Sequence, residues 1–152
     1  MKRFYLILAS ALLLLSSCSK FLDERPQSIA TENFYNTPAE VESGLNAIYE
    51  TVRYLSTFGG FYMIQHEIST EYMYGKGSFS PMNSYNGLDN SNVSRITDSW
   101  NNFYKGIRNA NLIIQKAPLS SLTTEAEKIR YVAEARCMRG LFYFHLVRNW
   151  AG

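Results

Sequence analysis

Two patterns of apolar residues organise the chain. From Phe4 to Leu15 they run almost without interruption, whereas beyond position 37 they recur every three or four residues, the period of one face of an α-helix. The first periodic stripe is Val41, Leu45, Ile48, Val52 and Leu55. Ahead of it, Thr37-Pro38-Ala39-Glu40 sets a hydroxyl at the N-cap, proline at the first helical position and a carboxylate three residues past the cap. The spacing predicts a helix from Pro38 to about Tyr54 with that stripe buried. A weaker stripe, Phe61, Ile64, Ile68 and Tyr72, follows Gly59-Gly60 and predicts a second helix that ends near Gly75. Trp100, Phe103, Tyr104, Ile107, Asn111 and Ile114 predict a third, opening near Asp98 and ending before Pro118. The fourth is capped by Thr124, with Glu127 in the capping-box position, and carries Ile129, Val132, Ala133, Cys137, Leu141 and Phe144. Met138, Phe142 and Leu146 form a second stripe to one side, and a helix apolar on two faces needs neighbours on both. The short connection from Pro118 to Thr123 makes the last two helices an antiparallel hairpin.

Between the second and third helices the character changes. Gly, Ser and Asn supply half of the residues from Gly75 to Asp98, and no periodicity survives. Loops of this length are uncommon in compact domains. Phe79, Met82 and Tyr85 interrupt it with large apolar groups, which predicts an ordered surface loop. Asn111, on the apolar side of its helix, requires hydrogen-bond partners and is expected to set a packing register or tie down a loop. The chain is therefore all-α. Its last helix asks for more partners than the sequence supplies, which predicts a truncated N-terminal part of a larger helical domain, with an exposed apolar patch.

The unperiodic start has its own reading. Lys2 and Arg3, the apolar run and Leu15-Ser16-Ser17-Cys18 are the three regions of a secretory signal. The run is about a dozen residues, short of the roughly 20 that a helix needs to cross a bilayer. The close resembles the bacterial lipobox, so residues 1–17 are expected to be cleaved and Cys18 to carry lipid. Residues 18–36 then form a tether, and residues 37–152 the helical region. Each buried acyl methylene contributes about 0.8 kcal/mol, so several chains make anchoring effectively permanent.

Removing that signal leaves thirteen basic side chains, fifteen less Lys2 and Arg3, against thirteen acidic ones. A balance near zero gives no basic stripe for nucleic acid. With Cys18 committed to lipid, Cys137 has no partner for a disulfide, and its apolar helical setting predicts a small buried hydrophobe. An enzyme would have to use His66-Glu67 with Glu71 one turn on, but there is no His-Glu-x-x-His pattern and His145 is distant in sequence. Neither a metal nor another cofactor is indicated. Arg136 and Arg139 are expected to lay their stems along the helix and pair with a carboxylate such as Glu134.

Several stretches resemble the N-terminal part of the SusD/RagB family. They are Phe21-Leu22-Asp23 to Pro26 behind the lipid cysteine, Phe34-Tyr35, Gly44-Leu45-Asn46-Ala47-Ile48-Tyr49, then Trp100, Tyr104, Ile107 and Ala110-Asn111. Ala133-Glu134-Ala135-Arg136, Arg139, Tyr143-Phe144 and Leu146-Val147-Arg148 complete the series. Gly140 departs from the alanine usual there, and Asn149-Trp150-Ala151-Gly152 is one residue longer than the usual ending. The resemblance implies a scaffold of tetratricopeptide-like helical hairpins, on a lipoprotein of the outer membrane exposed at the cell surface. It implies binding without chemistry: a glycan or peptide nutrient is captured and passed to a SusC-like, TonB-dependent transporter. Trp100, Tyr104, Asn111, Glu134, Arg136 and Arg139 are then structural motif positions. Sugar capture needs aromatic faces with amides and charged groups beside them, which Tyr72, Tyr74, Tyr85, Asn83, Asn86 and Arg95 supply in or next to the long loop. A helical adaptor lipoprotein with protein partners only is the alternative.

Overall fold

The computed structural model describes residues 34–84 and 89–151. The expected signal peptide, Cys18, most of the tether, Tyr85 and Asn86 lie outside them. Among the described residues there are five helices and no strand: α1 (Pro38–Arg53), α2 (Phe61–Glu67), α3 (Ser80–Asn83), α4 (Asn90–Lys116) and α5 (Glu125–Trp150). Short 3-10 turns at Gly77–Phe79 and Ala117–Leu119 lead into α3 and out of α4. None of these helices is long and apolar enough to cross a membrane.

The long hairpin of α4 and α5 is the frame. At about 1.5 Å per residue, the 27 residues of α4 span roughly 40 Å. Helix α1 packs across both partners, and the three enclose Val41, Leu45 and Ile48, Phe103, Ile107 and Ile113, and Tyr131, Met138 and Phe142. Close approach is possible at Gly44, where an added Cβ would fall 2.6 Å from both Ile113 Cδ1 and the Tyr35 ring. Tyr35 holds its ring there from a left-handed backbone, φ 81, a conformation that costs a non-glycine residue about 1–2 kcal/mol.

Both predicted capping boxes form. The Thr37 hydroxyl accepts from the Glu40 amide at 3.3 Å while the Glu40 carboxylate accepts from the Thr37 amide at 2.9 Å. Thr124 and Glu127 repeat the exchange at 3.4 and 2.9 Å. These backbone and hydroxyl donors hold both carboxyls below the usual range, led by the Thr37 backbone for Glu40 and the Thr124 side chain for Glu127. Helix α1 ends where its sequence predicts. The buried Thr57 hydroxyl turns back to donate toward the carbonyls of Val52 and Tyr54, at 3.2 and 3.0 Å, and that of Thr51.

Other expectations are corrected. Helix α2 stops at Glu67, leaving Tyr72 outside it, and Leu55 faces solvent. Helix α4 begins at Asn90, capped by Asp89, eight residues before Asp98. Its first turns are Ser and Asn, which favour caps and turns, so the composition conceals the helix. On α5 the phase is the reverse of the expected one. Met138, Phe142 and Leu146, with Tyr131 and Ala135, form the buried face, while Ile129 (70% exposed), Leu141, Phe144 and Val147 face outward. Cys137 is exposed on that outer side rather than buried.

The motif positions have defined places. Asn111 accepts from Arg139 Nη1 at 2.8 Å, a side-chain bond that sets the α4–α5 register. Arg139 therefore meets an amide and not a carboxylate. Glu134 is occupied by the Tyr49 hydroxyl at 2.5 Å and by Arg130 at 4.0 Å. Arg136 is exposed beside Ile129 and Val132. The Trp100 ring lies 4.8 Å from Tyr104 and 5.5 Å from Trp150, and both Trp100 and Tyr104 keep a third or more of their surface open.

Candidate functional site

The segment between α2 and α4 presents aromatic side chains without covering them. Tyr72 is 97% and Tyr74 72% exposed, with Met73 between them partly open. The backbone beneath them is fixed by polar clasps. Asn83 Oδ1 accepts from the Gly75 amide at 3.0 Å, and its Nδ2 donates to the Gly75 carbonyl at 2.6 Å, so one side chain reproduces the pairing of a neighbouring strand. Gly75 can sit there because it lacks a Cβ, which would lie 2.1 Å from Ile68 Cδ1 and 2.8 Å from Phe79 Cβ.

From α4, Arg95 closes the other side. Its guanidinium carbon stands 3.9 Å from the Phe79 ring centre and 5.2 Å from that of Phe61. Its nitrogens donate to Ser78 Oγ and to Asn92 Oδ1, both at 2.8 Å. Asn92, fully buried, donates in turn to the Ser78 carbonyl at 2.9 Å. Of the six residues expected to contact ligand, Tyr72 and Tyr74 are therefore exposed, while Asn83 and Arg95 spend their polar atoms holding the segment. Tyr85 and Asn86 are not among the described residues.

Next to α3 lies a cavity of about 210 Å³, lined by Tyr62, Gln65 and His66 of α2, Met82 of α3, Ile96 of α4, and Asn149 and Trp150 of α5. Sequence reasoning missed this group, because its members meet across more than 80 positions and no local pattern links them. A partly buried network braces the wall. Asn149 Nδ2 donates to the Tyr62 hydroxyl at 2.6 Å, and that hydroxyl lies 2.8 Å from His145 Nδ1. The phenol or an Nδ1–H can be the donor in that pair, according to the imidazole tautomer. Partial desolvation first, then the positive charge of Arg148, holds both His66 and His145 below the usual imidazole range. Burial also raises the Tyr62 phenol. No group of three His, Cys, Asp or Glu side chains among the described residues is placed to hold a metal ion.

Residues 20–152 match a SusD-like family profile described as starch-binding, associating with the outer membrane. The chain is 28% and 30% identical to two SusD-like proteins of Formosa agariphila, over 88% and 97% of its own length. It is 26% identical to a SusD-like protein of Bacteroides ovatus over 99% of its length. It spans 27–29% of the length of these curated relatives. No solved structure matches it.

Proposed function

The chain belongs to the SusD-like family, and on that premise we propose that the whole protein captures glycan nutrients at the outer membrane and delivers them to a TonB-dependent transporter. The protein is held at the cell surface by lipid on Cys18, binds without catalysing a reaction, and takes its ligand at the segment carrying Tyr72 and Tyr74. One observation carries this reading: two tyrosines stand open to solvent on a backbone that Asn83 and Arg95 hold in place. Presenting bare aromatic faces on an ordered support suits pyranose C–H groups, and ordering the support before binding lowers the entropy lost on capture. The family profile's starch-binding, outer-membrane description supports the same class.

The mature full-length protein is expected to bind soluble members of a glycan array, and the double variant Tyr72→Ala, Tyr74→Ala to bind them at least tenfold more weakly with an unchanged melting temperature. Failure on every glycan, with peptide pools bound instead, would move the ligand to peptides. Failure on both, with a transporter barrel still retained, would favour a helical adaptor.

The outward face of α5 has a place in this reading. Ile129, Leu141, Phe144 and Val147 are exposed on it, and the relatives are more than three times as long as the matched stretch. Further tetratricopeptide-like helices of the whole protein cover that face. Cys137, exposed there, should then resist thiol reagents in the full-length protein. Labelling as fast as in the unfolded chain would count against it.

A further inference from the structure

We infer that the cavity between α2, α3, α4 and the end of α5 is a subsite for one neutral sugar ring of the bound glycan. This rests on the glycan reading above and adds a second contact surface to the tyrosine segment. Four helices converge on the space, so its shape is a product of tertiary packing rather than of one exposed surface. Its volume of about 210 Å³ equals roughly seven waters at about 30 Å³ each. That is room for a single ring, with the rest of an oligosaccharide outside.

The walls carry both kinds of group: Trp150, Met82 and Ile96 are apolar, and Gln65 and His66 polar. A pyranose asks for both, with C–H groups on its flat faces and hydroxyls around its rim. Among the described lining residues there is no Lys, Arg, Asp or Glu, which suits a neutral ring better than a carboxylated or phosphorylated one.

The state of the polar groups distinguishes those that brace the wall from those that can serve a ligand. The Tyr62 hydroxyl and Asn149 Nδ2 are committed to each other, to His145 and to the His145 carbonyl. Gln65 Nε2 is shut off from solvent and has no hydrogen-bond partner among the described residues. Native proteins leave few buried donors in that condition. Gln65 lines the cavity, and its terminal torsion is broad and roughly two-fold, so a small side-chain rearrangement would offer the amide to a ligand there. The His66 ring meets the Tyr62 edge at 4.6 Å and makes no hydrogen bond among the described residues, so its nitrogens are open to a hydroxyl.

Two other concavities among the described residues differ from it. A broader groove along α1 draws its described lining from the α1 face and the Tyr54 that follows it, and there Glu134 takes the Tyr49 hydroxyl and Lys105 lies over the Tyr54 ring. The depression beside Pro118 is edged by Glu125, Lys128 and Arg136, which suits a charged occupant.

The test uses the mature full-length protein and the neutral oligosaccharides that it retains on the glycan array, titrated by calorimetry. Gln65→Leu, which keeps the volume and removes the unpaired amide, and His66→Ala, at an exposed position, are each expected to weaken binding at least tenfold without lowering the melting temperature. If both bind as tightly as the wild type while the Tyr72, Tyr74 variant does not, the subsite is overturned and the glycan reading stands. A Gln65→Leu protein that is more heat-stable and binds normally would make the unpaired amide a packing defect and also overturn it. Retention of acidic glycans alone contradicts the neutral subsite. Retention of none removes the reading on which it rests.

Discussion

The three-helix core and the segment between α2 and α4 are held by different physics. In the core, order comes from apolar contact: Phe103, Phe142, Ile48, Ile113 and Val41 are all fully buried, and side-chain hydrogen bonds such as Asn111 to Arg139 lie toward its margins. In the segment, order comes from side chains bonded to backbone. Asn83 clasps Gly75, Asn92 holds Ser78, and Arg95 stacks on Phe79, with Ile68 as the buried apolar anchor. Apolar burial is non-directional and stabilises by removing surface from water. A polar clasp instead fixes the backbone without covering it. That difference lets Tyr72 and Tyr74 be both placed and exposed, which a hydrophobic anchor of equal strength would prevent.

The contrast can be broken in two places. The largest effect is expected from Phe103→Ala, which empties the centre of the core where the Tyr62, Phe142 and His145 rings meet. Removal of a buried Phe should cost about 3–5 kcal/mol, read by chemical denaturation with an unchanged m-value. A loss under about 1 kcal/mol would mean that the core is not the source of stability. A smaller and local effect is expected from Asn83→Ala. Two buried backbone groups of Gly75 lose their partner, at about 1–3 kcal/mol for such a loss, and amide exchange should quicken over residues 75–84 while α4 and α5 keep their protection. Equal quickening in the hairpin would merge the two regions into one cooperative unit and remove the distinction.

Legibility in the sequence follows the same division. Both capping boxes, the bounds of α1, the α4–α5 hairpin and, on α4, the burial of Phe103 and Ile107 were readable, because each depends on residues within one or two helical turns; Trp100 and Tyr104 of the same stripe are exposed. Asn111 was recognisable as a polar residue needing a partner, though Arg139 was not identifiable as that partner. Tyr72 and Tyr74 stood out as aromatic residues close to a polar loop. The first turns of α4 were hidden by Ser91, Asn92 and Ser94, whose intrinsic preference is for caps and turns. Asn92 is helical there while its side chain reaches across to the Ser78 carbonyl.

Local chemistry, then, decided where helices start, which positions are apolar and which family pattern the chain follows. Tertiary structure decided which of two apolar faces of α5 turns inward, which polar residues of the loop are committed to its support, and that Gln65, His66 and Trp150 share a cavity. The physical reason is that a helix apolar on two sides has two nearly equivalent ways to bury itself, and a hydrogen-bond donor has many acceptors within reach. Only the positions of α1 and α4 against α5, and of Ser78 and Gly75 against their clasps, remove that degeneracy.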